Sequence, residues 1–120
     1  MPWYAASVVM YTKFKGVRQE QFPVWENILL IRAADPKQAL KKASKLARER
    51  NPRDSSGSYT YENRPAVLVF AGIRKIIECD DSARRPSDGS EISYSQMLVK
   101  NKNDFKKLIA GAPVRLLYKE

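Results

Sequence analysis

Residues 3–14 read Trp-Tyr-Ala-Ala-Ser-Val-Val-Met-Tyr-Thr-Lys-Phe, and they constrain the fold more than any other stretch. β-Branched and aromatic side chains alternate through them, which predicts a strand. One side carries Tyr4, Ala6, Val8, Met10, Thr12 and Phe14; the other carries Trp3, Ala5, Ser7, Val9 and Tyr11. Both sides are largely apolar. Such a strand belongs in the middle of a sheet rather than at its rim.

The partners of this strand are sought downstream. Lys15 to Glu20 form a polar turn, and a second strand is expected from Val24 to Ala33. Trp25, Leu29 and Ile31 share one of its faces; Val24, Glu26, Ile28, Leu30 and Arg32 share the other. Two strands this close in sequence predict an antiparallel hairpin. A third strand is expected over Ala66 to Cys79, with Gly72 marking a bulge or bend. Asp88-Gly89 is a turn signal, and Glu91 to Val99 alternates as a fourth strand with Ile92, Tyr94 and Leu98 on one face.

Between the hairpins lies the clearest helix. Asp35 is an N-cap, Pro36 suits the first helical position, and Gln38 completes a D-x-x-Q capping box. At helical spacing Ala39, Leu40, Ala43, Leu46 and Ala47 form one narrow apolar stripe, small enough to lie close against a sheet. Lys37, Lys41, Lys45 and Arg48 form a row on the far side. Asn51-Pro52 ends the helix. Residues 51–65 are polar and rich in Ser, Gly and Pro, a loop in which Tyr59 and Tyr61 mark a short strand. Residues 80–87 are a polar excursion. Near the end, Asp104 to Ala110 predicts a short helix that exposes Lys106 and Lys107 and buries Phe105, Leu108 and Ile109. Gly111 is its C-cap, and Val114 to Tyr118 are a final short strand or a docked tail.

The expected fold is therefore α+β: one domain over residues 1–120 with a mostly antiparallel sheet of four to five strands in β-β-α-β-β order. One main helix packs on one face of that sheet. A short C-terminal helix follows within a basic extension, residues 100–120.

Composition narrows the chemistry. The 120 residues contain no histidine and a single cysteine, Cys79. That excludes Ser-His-Asp and Cys-His catalysis, histidine metal ligands, an internal disulfide and a multi-cysteine zinc site. Glu78, Asp80 and Asp81, with Asp88 and Glu91, are the only acidic cluster; their spacing fits no calcium loop. Gly57 and Gly72 are isolated, so no glycine-rich phosphate loop exists. No metal site, catalytic group or cofactor is expected. Cys79 reads as a buried small hydrophobe.

Charge is the remaining signal. The chain carries 22 Lys and Arg against 13 Asp and Glu, a net charge of +9. The excess sits in two places. Residues 35–53 carry seven basic and two acidic side chains; residues 100–120 carry six and two. Everything else balances. The Lys37/Lys41/Lys45/Arg48 row, with Lys106 and Lys107, is the candidate surface for a partner. Several cations on one face suit a phosphate backbone as well as an acidic protein. The N-terminus lacks a basic region ahead of an apolar run, and no stretch approaches the ~20 apolar residues that span a bilayer.

These features together resemble the bacterial family labelled domain of unknown function 4288. The likeness rests on Trp3-Tyr4-Ala5-Ala6, Glu26-Asn27-Ile28-Leu29-Leu30-Ile31 and the capped helix Ala34-Asp35-Pro36-Lys37-Gln38-Ala39-Leu40-Lys41-Lys42-Ala43. It continues through Val69-Phe70-Ala71-Gly72-Ile73-Arg74-Lys75-Ile76 and Asp88-Gly89-Ser90-Glu91-Ile92, followed by Tyr94, and covers roughly residues 3–98. The chain departs from the family in its basic helix and in the basic extension after Val99. The resemblance implies a small cytoplasmic bacterial protein and no activity. The expectation is a non-enzymatic protein-interaction or regulatory module that binds an acidic protein through its basic helix face. Nucleic-acid binding by the same row and the C-terminal segment is the alternative, no membrane is involved, and a homodimer through an exposed strand edge is open.

Overall fold

A computed structural model describes residues 1–50, 59–80 and 84–119. Its main body is a four-stranded antiparallel sheet with one long helix on one face. The strands are β1 (Trp3–Phe14), β2 (Val24–Arg32), β3 (Thr60–Tyr61) and β4 (Arg64–Glu78), in spatial order β2-β1-β4-β3. The long helix is α1 (Pro36–Arg50). A C-terminal arm adds β5 (Met97–Leu98), α2 (Lys102–Ala110) and β6 (Leu117–Tyr118), with β5 and β6 paired as a separate two-stranded sheet.

The strand that is apolar on both sides is indeed central. β1 pairs β2 from Trp3↔Arg32 to Tyr11↔Val24, and β4 from Tyr4↔Glu78 to Phe14↔Ala66. Seven of its side chains, from Tyr4 to Val8 with Met10 and Thr12, are buried. On the helix-covered face Tyr4 and Ala6 pack with Ile31, Ala33, Ala39 and Ala43, and Val8 and Met10 pack with Ala47. The three buried helix residues are all alanines, so the helix axis lies close to the sheet. Leu46 is half-buried at the margin of this contact.

Local signals act where they were read. The Gln38 backbone N–H donates to Asp35 Oδ1 at 2.8 Å, which fixes the start of α1. The ladder between β1 and β4 shifts register twice around Gly72, with Arg74 and Ala71 as the inserted residues of β4. The β1–β2 connection is a long loop rather than a tight turn. Gln19 holds it closed by accepting from the Phe14 N–H and donating to the Thr12 and Gln21 carbonyls. Gly16 and Gly89 occupy left-handed backbone in their turns. Tyr61 lies in β3, against Phe14 and Trp25.

Three expectations are corrected. The fourth strand, expected over Glu91 to Val99, shrinks to Met97–Leu98 and pairs with β6 outside the main sheet. Residues 91–94 run beside β4 through isolated bonds, from Asp80 N–H to the Glu91 carbonyl and from Lys75 Nζ to the Tyr94 carbonyl. A ladder therefore never forms there. Leu40 is 44% exposed, because Ala39, Ala43 and Ala47 take the contact with the sheet and Leu40 stands at the margin of that stripe. Finally, α2 buries nothing: Phe105 is 53% exposed, Ile109 is 69% exposed and Leu108 is only half-buried. The helix has its caps, with Asn101 Oδ1 accepting from the Asp104 N–H and Gly111 in left-handed backbone, but none of its residues is buried among the described residues. The helix stop at Asn51-Pro52 and Asp81 lie outside the described residues.

Candidate functional site: the basic face of α1

Apolar residues on one side of a helix leave the other side to solvent, and here that side is cationic. Ala39, Ala43 and Ala47 face the sheet, so Lys37, Lys41, Lys45 and Arg48 are all exposed. Glu49 is the only acidic residue within the helix, so intrahelical i,i+4 pairs scarcely neutralise the row. Arg48 and Arg50 sit in the last turn, where the helix dipole favours positive charge.

The fold adds cations that the helix alone does not provide. The connection from β2 to α1 is short, so Arg32, the last residue of β2, stands beside the first two turns of α1. Lys42 Nζ donates to the Arg32 carbonyl at 2.9 Å and ties the two elements together. Arg32, Lys41, Lys42, Lys45 and Arg48 line one open groove of about 800 Å³, with Met1, Gln38 and the acidic Asp35 at its side. Lys37 lies off this groove, in the first turn. Arg48 also stands 5.3 Å over the Phe70 ring, and Arg32 stands 5.8 Å over Trp3, so both guanidinium groups are steadied by aromatic faces. Helical periodicity alone does not mark Arg32 and Lys42 as part of this surface. The signal was the three-residue spacing between Arg32 and Asp35.

Lys106 and Lys107 are exposed on α2. They do not join this groove. Lys75 and Arg74 fasten the arm to the sheet face opposite α1: Lys75 bonds the Tyr94 carbonyl, and the Arg74 guanidinium lies 4.4 Å over the Tyr118 ring.

The other candidates take up structural duties. The Cys79 thiol is buried, donates to the Ile92 carbonyl, and is pushed up from its ordinary pKa by burial and then by the Glu78 carboxylate. Tyr61 packs against Phe14 at a tilt and against Trp25 edge-on, and the Tyr59 hydroxyl shares a hydrogen bond with Thr12 at 3.0 Å. Among the described residues, no three cysteine or carboxylate side chains gather to hold a metal ion. Among them also, no helix is long and apolar enough to cross a membrane.

The family described as Domain of unknown function (DUF4288) matches residues 3–94, from the start of β1 to the segment fastened by Lys75. The arm carrying β5, α2 and β6 lies beyond the matched span. No curated protein and no solved structure matches the chain.

Proposed function

The chain belongs to the DUF4288 family, and from that premise we propose that it is a non-enzymatic binding module of the cytoplasm that receives an acidic protein on the outer face of α1. The observation that carries the reading is the groove lined by Arg32, Lys41, Lys42, Lys45 and Arg48, five cationic residues against one acidic lining residue, Asp35. Unpaired like charges raise the local potential, which steers an acidic partner and fixes its orientation more than it adds affinity. The groove is open, as suits a macromolecular surface rather than a small metabolite. Cys79, the one strong nucleophile of the chain, is buried and held as a thiol, which supports a role in binding over one in catalysis. One unpaired cysteine suits a reducing compartment.

The test compares two baits in cell extract, the native chain and the Lys41→Glu/Lys45→Glu double variant, each with and without nuclease treatment. An acidic protein retained by the native chain, lost from the variant and insensitive to nuclease supports the reading. Capture that survives the charge reversal overturns it. Capture that disappears with nuclease transfers the face to nucleic acid.

A further inference from the structure

The chain exposes more surface than a folded monomer of its size. Its accessible area is 9048 Å², against about 6,600 Å² expected for a compact 13.7 kDa protein. Its Cα radius of gyration is 17.1 Å, against about 14 Å expected. A standard interface takes about 800 Å² from each partner, so the surplus is enough for a stable, extensive one.

Two apolar regions stand out in that surplus. The first is the β2 side of the sheet face opposite α1. There Val24, Ile28 and Leu30 point away from the helix and are all exposed. The second is the arm, where Phe105 and Ile109 of α2 are exposed. A nine-residue helix is too short to persist on its own propensity, so α2 needs a surface to pack against. Among the described residues its own sheet does not provide one, since no residue of α2 is buried. The residues outside the described ones, 51–58, 81–83 and 120, include no large apolar side chain with which to cover either region.

We propose that two copies of this chain associate about a two-fold axis, with the apolar side of α2 from each copy covering Val24, Ile28 and Leu30 of the other. Both halves of the contact are present on every chain, so one symmetry operation closes the assembly and satisfies both. Pairing through the free edge of β2 alone would leave α2 uncovered. The contact uses the sheet face opposite α1, so it is independent of the function proposed above and leaves the basic groove of each copy open.

The experiment is analytical ultracentrifugation of the full chain. The expected mass is that of a dimer. Leu30→Glu and Ile109→Glu each place a charge in the contact and are expected to weaken association by about 100-fold or more. Both residues are exposed in the single copy, and circular dichroism checks that each variant is folded. Mixing the two variants is the sharper test. In the mixed dimer the intact arm of one copy meets the intact sheet of the other, so dimer is expected to reappear above the level of either variant alone. A monomeric mass for the native chain up to ~100 µM overturns the proposal, since a standard-sized interface is saturated there. A dimer indifferent to both substitutions overturns it, as does a mixture that recovers nothing.

Discussion

The Glu26 carboxylate accepts a 2.8 Å hydrogen bond from the Arg74 guanidinium, across the width of β1. Arg74 is one of the two bulge residues of β4, and its guanidinium also faces the Tyr118 ring. The side chains are 28% and 31% exposed, so solvent screens the pair. Glu26→Gln is expected to cost no more than about 1 kcal/mol in urea unfolding, and high salt should shrink the difference. A loss of several kcal/mol, or one insensitive to salt, contradicts this account.

Close contact between α1 and the sheet rests on side chains of minimal size. Ala43 is fully buried against Tyr4 and Ala6, with no room for a longer residue. Ala43→Leu should therefore destabilise by about 1–3 kcal/mol through overpacking, despite the higher hydrophobicity of leucine. Thermal unfolding measures it; an unchanged midpoint would mean that the helix stands off farther than described.

Ser7 behaves oppositely. Its side chain is fully buried, and Oγ has no hydrogen-bond partner among the described residues. A buried hydroxyl without a partner is a cost, on the order of 1 kcal/mol or more. Ser7→Ala removes the hydroxyl and keeps the packing, so a gain in stability of about 1 kcal/mol is expected in chemical denaturation. A clear loss would show that the hydroxyl is satisfied.

How much of this was readable beforehand depends on where the determining contact lies. The Asp35 cap of α1, the turn at Gly89 and the central place of β1 follow from neighbouring residues, and each was legible. Leu40 and Ile109 depart from the helical pattern for a common reason. Amphipathic spacing tells which side of a helix is apolar; it does not tell whether another surface lies against that side. The alternation of residues 91–99 misled similarly, because a strand needs a partner along its whole length and only Met97 and Leu98 find one. The basic row was legible, whereas Arg32 and Lys42 joined it only through the path of the chain between β2 and α1.

Alkaline pH should weaken the fold through two groups. The Tyr4 hydroxyl is raised above its ordinary value of 10.0, first by burial and then by Glu78. The Cys79 thiol is raised above 9.0 by the same two causes. In each case the unfolded chain releases a proton that the folded chain still holds. Stability is therefore full below pH 9 and falls as pH rises through 9 and then 10. Tyr4→Phe should flatten the fall above pH 10, as followed by unfolding at a series of pH values. An equally steep fall in that variant assigns the titration elsewhere. Native Cys79 should also react slowly with thiol reagents at neutral pH, and quickly once unfolded.

The two interruptions beside Gly72 bear on how the sheet is assembled. Along the β1–β4 ladder, thirteen residues of β4 (66–78) run beside eleven of β1 (4–14). The mismatch keys the two strands to each other: sliding β4 by one position moves both insertions away from the places where β1 tolerates them. It also turns every apolar side chain of β4 to the wrong face. Encounters in a neighbouring alignment are rejected twice over, by geometry and by solvation. Excising Ala71 or Arg74 would remove half of that key while leaving nearly every contact of the finished sheet in place.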